Sequence, residues 1–395
     1  MLDLGTSAAK AGIFRKQEIG KATTVEEDLE TDTKSSSHLE ILALSRQPHG
    51  QTSFRGHQIY QVDAVLETCS LAIERVTLES GINPTRSILL ASAFTRTVST
   101  NVKLRRAEPE SEISESELDG ILQRIEQQTA DHAYQKAARL FTNASGQFSL
   151  PEELHRLESK ITGFQLDDKK LESPVGFSGN ELKVSLNEQF CLKKEHALLT
   201  KIIGTLDLEI KKISSAALGP LNFLMPHYPR GILVDIGGRI TEVILFNENN
   251  IESNAFFNWG GTHLTWNLMR HFDLAYDSAE RLKIAISQDN LEIQKQKAAE
   301  DLTRAWLEIL LVGICESLGT LNITSLPENV FISGGGSRVK HLKSAFIAYP
   351  WTKKLPFTAF PKPKLIDITE TASLTGKESE ARKPEYAGII GAALS

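Results

Sequence analysis

Two acidic residues, Asp3 and Asp235, each interrupt a short apolar run and are followed by glycine, in Leu2-Asp3-Leu4-Gly5 and Val234-Asp235-Ile236-Gly237-Gly238. That pattern suits one chemistry in particular. Glycine has no Cβ, so backbone N–H groups in such a turn approach a phosphate closely, while the carboxylate holds a hydrated Mg2+ beside it. Thr6 and Ser7 add hydroxyl and backbone donors, and Lys10 adds positive charge. The alternative is a structural hairpin whose glycines serve only the turn. Two more groups suit the same ligand. Glu280 and Lys283, three positions apart in Ala-Glu-x-x-Lys, present a carboxylate and an ammonium to one side of a helix, fit for a ribose or adenine. The other reading of this pair is an ordinary surface ion pair. Gly334-Gly335-Gly336-Ser337 follows an apolar run and offers free backbone N–H groups beside a flat surface suited to a purine.

The elements that must position these residues follow from periodicity. Residues 231–247 read as a hairpin with Asp235 near its tip, and residues 1–15 as a second copy. Residues 20–38 are rich in Thr, Ser, Glu and Asp and read as a solvated loop. Val65, Leu66, Cys69, Ala72, Ile73 and Val76 fall at helical spacing after Asp63, the expected cap, and residues 81–84 end that helix. Strands are expected at 87–93 and 98–104, with Arg105-Arg106 as a solvated strand end, then a helix over 113–139 opened by Ser114 and Glu117 in capping-box spacing. An alternating strand over 181–186 closes this middle block. A helix over 194–206, a strand over 207–213 and a small-residue helix over 216–223 lead back to the second hairpin. After it come a strand over 251–257, Gly260-Gly261-Thr262 and a helix, and a long amphipathic helix over 298–318 whose core residues are Leu302, Trp306, Leu310 and Val312. A strand over 329–333, a helix over 339–348, a polar loop over 362–382 and a small-residue helix over 386–394, placed beside the first strand, complete the chain.

At 395 residues the chain exceeds one ordinary core, so two or more domains are expected. A net charge of −6 gives no global attraction to nucleic acid or to an anionic membrane. Cys69, Cys191 and Cys315 lie more than 120 residues apart, a spacing that forms no metal site and suits a reducing cytosol. No apolar run approaches the roughly 20 residues of a membrane span, and no signal peptide is legible, so a cytoplasmic location is expected.

Two acidic hairpins, the Ala-Glu-x-x-Lys helix and the strand, triple glycine and helix occur in an order that resembles the actin-like ATPase superfamily. The resemblance implies an α/β fold with two lobes of duplicated sheet-and-helix subdomains clamping ATP and Mg2+. It matches Asp3, Gly5, Thr6 and Ser7 to the first phosphate loop, Asp235, Gly237, Gly238 and the neighbouring Arg239 to the second, and Gly334, Gly335 and Gly336 to the adenosine motif. Glu280 and Lys283 match the helix bordering the nucleoside, and Asp3 and Asp235 would hold the metal through water. The middle block resembles the 1C insertion of the bacterial cell-division family FtsA, as do Gln61-Val62-Asp63, ISESELDGILQRI at 113–125, SPVGFSGNEL at 173–182, GGTHLT at 260–265 and FISGGGSRVKHL at 331–342. The pilus-assembly family PilM is its sister, and the spacing of Lys10 after Thr6-Ser7 is similar to that family too. The implied organisation is a first lobe over 1–88, completed by 191–228 and 383–395. The insertion takes 89–190, the second lobe 229–258 and 328–382, and its accessory subdomain 259–327.

The FtsA resemblance implies a scaffold linking FtsZ to other division proteins, self-association into filaments, and membrane contact only through a partner. The alternatives are a PilM-like adaptor that binds a peptide of a membrane pilus protein, or an actin-fold small-molecule kinase. The kinase needs a substrate-positioning acid, and none is evident beyond Asp3 and Asp235. Three departures qualify the inheritance. Arg239 and Ile240 replace a glycine and a threonine of the usual second phosphate loop, so the Arg239 guanidinium either contacts phosphate or crowds the site. Hydrolysis is expected to be slow at most, with no general base assigned and Thr241 and Glu242 the neighbours to test. The chain ends at Ser395 without the amphipathic helix by which FtsA lies on membranes, and the first strand is short.

Overall fold

A computed structural model describes residues 1–17, 38–145, 149–248, 250–288, 293–321, 323–370 and 373–395. The expected solvated loop at 20–38 lies almost wholly outside the described residues.

Two sheets repeat one topology. In the first, Leu2–Leu4 lies antiparallel to Ala8–Gln17, which lies antiparallel to His38–Pro48; on its other side Leu2–Leu4 runs parallel to Arg86–Leu90 and then Glu209–Ser214. Leu374–Thr375 adds a sixth strand outside His38–Pro48. In the second sheet, Arg230–Ile236 pairs antiparallel with Thr241–Asn247, then Asn250–Phe257, and parallel with Asn329–Ser333, then Lys362–Leu365. The duplication extends to individual residues. Asp3 pairs with Lys10 and Asp235 with Glu242, each seven positions along a hairpin whose tip is closed by one bond, Gly5 N to Ala8 O (3.2 Å) and Gly237 N to Ile240 O (3.0 Å). The fold is α/β, actin-like and two-lobed.

The hairpin strands are nearly continuous in apolar residues because both faces are covered. Ile232, Val234 and Ile236 pack with Trp306, Leu310 and Trp351 on one face of the second sheet. Leu233, Ile244 and Phe246 face the first lobe, and share a core with Leu39, Ile41 and Leu90. Asp235 alternates onto the Leu233 side, and Asp3 takes the corresponding side of its sheet, so the two acids point into the space between lobes. The helix Ala387–Leu394 closes the base of that space against Ala216–Leu218, Leu221–Leu224 and Ala8–Gln17. Its glycines make this approach possible: a Cβ on Gly391 would lie 2.2 Å from Gly219 O.

A third sheet, Arg96–Arg105, Glu181–Leu192, Leu154–Leu166 and Lys169–Leu171, carries the long helix Glu115–Ser145 on one face. It also packs against Asn250–Phe257, the edge strand of the second sheet, where Thr162 Oγ1 donates to Asn250 Oδ1 at 2.9 Å. Arg96, fully buried, joins the parts: its guanidinium lies 5.0 Å from the Phe141 ring and 4.7 Å from the Phe256 ring, and Nη1 donates to Thr95 O at 2.7 Å.

Several local expectations are corrected. Gln61 is the cap of the helix Val62–Ser80, and Asp63 sits in its first turn, where its charge complements the helix dipole. Arg106 is no solvated strand end: it is buried and grips both oxygens of Glu117 at 2.8 and 2.9 Å, while Ser114 Oγ caps the Glu117 N–H at 3.1 Å. Half of the capping box therefore forms, because the glutamate has a stronger partner. The segment 216–223 is two short turns rather than one helix, broken at Gly219-Pro220. A 3-10 turn that begins within the triple glycine, Gly335–Arg338, precedes the helix Leu342–Ala348. The described part of 362–382 contains two short strands and two helical turns rather than a plain loop. Val312 is 46% exposed and faces outward from Ile293–Thr320, whereas Trp306 and Leu310 are buried.

Candidate functional site

The two hairpin tips, the triple glycine and the helix Tyr276–Ser287 converge on one cavity of about 250 Å3 between the lobes. Asp3, Gly5, Thr6, Ser7, Asp235, Gly237, Gly238, Glu280, Lys283, Gly334, Gly335 and Gly336 all line it. These segments come from distant parts of the chain, and the sheet topology brings them together. Arg239 alone among the expected residues does not line it.

The glycines are used for close approach. Gly334 has φ +82°, and a Cβ there would meet Ile236 O at 2.4 Å; a Cβ on Gly336 would meet Ile236 Cγ2 at 2.3 Å. The turn therefore lies flat on the end of the Asp235 strand. A Cβ on Gly238 would lie 2.7 Å from Ser7 Cβ and 3.0 Å from Thr6 Oγ1, so the two tips abut. Gly261 N and Thr262 N donate to Gly237 O (3.0 Å) and Gly238 O (2.7 Å), bracing the second tip from behind. Trp306 Nε1 holds Gly260 O at 3.0 Å, fixing that brace to the core.

Arg239 turns out of the cavity. Its Nη1 donates to Phe54 O (2.9 Å) and Gly56 O (2.8 Å), and its guanidinium lies 5.0 Å from the Trp266 ring and 6.0 Å from the Phe54 ring. It thus neither enters the cavity nor narrows it. Two carbonyls and two aromatic rings hold the buried cation on the outer side of the tip, with Nε left without a hydrogen-bond partner.

The two acids have different surroundings. Asp3 carries the Lys10 ammonium, Nζ to Oδ2 at 2.5 Å. Burial pushes Asp235 up to about 6, with the Lys10 charge opposing and Asp3 adding to the shift. Glu242 also lines the cavity and is pushed up to about 8, by burial first and then by Asp235. Besides Asp3, Asp235 and the expected Glu280, the carboxyls of Glu242 and Glu385 also line the cavity. Strand alternation could have placed Glu242 beside Asp235; nothing local marked Glu385, which reaches the cleft from the chain's far end. Burial and the neighbouring Asp235 thus favour the protonated form of Glu242. Thr241 is buried, donates to Trp259 O at 2.7 Å, and serves the structure.

Glu280 and Lys283 form a pair at 2.7 Å, and Thr265 Oγ1 donates to Glu280 Oε2 at 2.6 Å. Burial disfavours the charge on Glu280, yet Lys283 and these hydrogen bonds hold its carboxyl below the usual range. Burial pushes the Lys283 ammonium down. A paired carboxylate and ammonium inside a cleft are set up for hydroxyl and ring-nitrogen partners rather than for solvent.

The residues fit a magnesium nucleotide in kind. Among the described residues no group of three or more His, Cys, Asp or Glu side chains forms a metal cage, so a bound Mg2+ would depend on Asp3, Asp235, water and ligand oxygens.

Comparison with known proteins bears on the same segments. The sequence profile of the family described as cell division protein FtsA matches residues 232–391, which hold the second hairpin, Glu280, Lys283 and the triple glycine. The chain resembles FtsA. FtsA proteins of Helicobacter pylori strains J99 and 26695 are 28% and 27% identical to it over 149 residues. That stretch is 37% of this chain and spans only 30% of each relative's length. The FtsA profile thus covers the second hairpin and the chain after it, up to residue 391. A solved PilM–PilN type IV pilus biogenesis complex is similar over the whole chain, with TM-score 0.66 and 16% identity, and covers 96% of the matched chain there. At that identity the likeness is one of fold. Among the described residues no helix is long and apolar enough to cross a membrane.

Proposed function

We propose that this chain is an FtsA-like, ATP-binding actin-fold scaffold of cell division, in which Mg2+-ATP is a conformational ligand rather than a rapidly turned-over substrate. The observation that carries the reading is the convergence of the two acidic hairpin tips, the triple glycine and the Glu280–Lys283 pair on one interlobe cavity. Asp3 and Asp235 would hold Mg2+ through water, the glycine tips and Lys10 would meet phosphates, and Gly334–Gly336 would border the adenine. The metal would supply charge neutralisation there. The ligand favours the closed arrangement only by as much as it binds that arrangement better.

In this reading the protein links FtsZ to other division components, self-associates, and reaches a membrane through a partner. The whole-chain fold likeness to the PilM of a PilM–PilN complex favours a second reading, an adaptor that binds a peptide of a membrane pilus protein. Co-sedimentation with FtsZ separates the two.

Isothermal titration of Mg2+-ATP into the wild type and Asp235→Ala tests the site. Binding that weakens strongly in the variant is expected; undetectable heat in both would overturn the nucleotide reading.

A further inference from the structure

Four cations line the cavity, Lys10, Arg46, Lys283 and Arg338. Three of them are neutralised in place: Lys10 by Asp3, Lys283 by Glu280 at 2.7 Å and Arg338 by Glu385 at 2.7 Å. Arg46 is different. Among the described residues its side chain forms no hydrogen bond and no ion pair, and it is exposed at the mouth of the cleft.

Its position is set by strand register. Asp3 pairs with Lys10, and Lys10 pairs with Arg46 on the next strand, so the three form one row across the sheet on the face that lines the cavity. Directly opposed residues in an antiparallel pair have Cβ atoms about 5 Å apart, and like charges so placed are destabilising. Lys10 and Arg46 are such a pair, and the one carboxylate in their row is already engaged with Lys10. The ligand-free protein thus bears an unbalanced cation at the entrance to a glycine-rich cleft. An anion seated between the hairpin tips and this row would remove the repulsion.

We infer that Arg46 is an anion-recognition residue of the cleft, the cation against which the phosphate end of the ligand docks beside Lys10. The inference rests on the nucleotide reading above. Arg46 stands opposite the second lobe: its charge disfavours the Lys283 ammonium and favours the charged form of Glu280. It is therefore placed to respond to whatever fills the space between the lobes. A planar guanidinium suits bidentate contact with phosphate oxygens.

The test measures affinities of Mg2+-ATP and of adenosine for the wild type, Arg46→Ala and Arg46→Lys, with thermal midpoints of the ligand-free proteins. Arg46→Ala is expected to weaken Mg2+-ATP about 10-fold, the effect of one charged hydrogen-bonding partner, to leave adenosine unchanged, and to flatten the salt dependence of ATP binding. Arg46→Lys recovers part of the loss. Because Arg46 has no partner and faces Lys10, the midpoint of ligand-free Arg46→Ala is expected to equal or exceed that of the wild type. Equal ATP affinity in wild type and Arg46→Ala, or parallel loss of ATP and adenosine, overturns the inference and leaves the nucleotide reading standing. A wild type that binds neither ligand overturns both.

Discussion

Arg239, in the tip of the second hairpin, donates to Phe54 O at 2.9 Å, so a loop of one lobe is tied to the backbone of the other. The second bond to Gly56 O and the Trp266 ring complete the tie. Arg239→Ala is expected to lower stability by about 1–3 kcal/mol and to speed amide hydrogen exchange across residues 53–61. Exchange there that stays at the wild-type rate would show that the tie contributes nothing to closure.

The triple glycine contains its own control. A Cβ at Gly334 would enter Ile236 O at a positive φ, whereas one at Gly335 would have Glu385 Cβ, 3.8 Å away, as its nearest neighbour. Gly334→Ala is expected to cost about 2 kcal/mol or more, and Gly335→Ala under about 1. Chemical denaturation of the two variants checks the difference, and similar losses would contradict the close approach of the turn to Ile236.

In the inserted sheet, the buried Arg106 holds Glu117 through two bonds and also donates to Ser111 O (2.9 Å) and Gly179 O (3.1 Å). A lysine cannot reproduce that fork. Arg106→Lys is therefore expected to lose about 2 kcal/mol and to expose residues 107–113 and 173–180 to proteolysis. Wild-type resistance in the variant would argue that backbone pairing alone holds these loops.

Burial pushes Glu195 up to about 7, against the pull of Arg96 and Lys194. A carboxyl raised above its unfolded value binds its proton more tightly when folded. Its contribution to stability is present below the unfolded value and is lost as pH rises through about 7. Glu195→Gln, which removes the cost of charging, is expected to match the wild type near pH 5 and to exceed its melting temperature above pH 8. Parallel pH profiles for the two proteins would count against a buried, proton-holding Glu195.

Much of this site is legible in residue order. Asp3 and Asp235, each before a glycine turn, Glu280 with Lys283, and Gly334 to Gly336 are local patterns whose chemistry follows from side-chain type and from the missing Cβ, and all of them line one cavity. Periodicity likewise locates both hairpins and the buried helix around Trp306, because a strand or helix covered on its inner face must carry apolar residues at fixed intervals. The direction of a long side chain at a turn is not written in that pattern. Arg239 reads as a residue of the phosphate loop, yet Phe54, Gly56 and Trp266, distant in the chain, give its guanidinium carbonyl and aromatic partners outside the cavity. Arg106 and Glu117 meet for the same reason, and Arg46 enters the site only through its register with Lys10. Backbone chemistry made the two acidic glycine turns readable residue by residue; where each charge points was decided by which distant groups the fold set beside it.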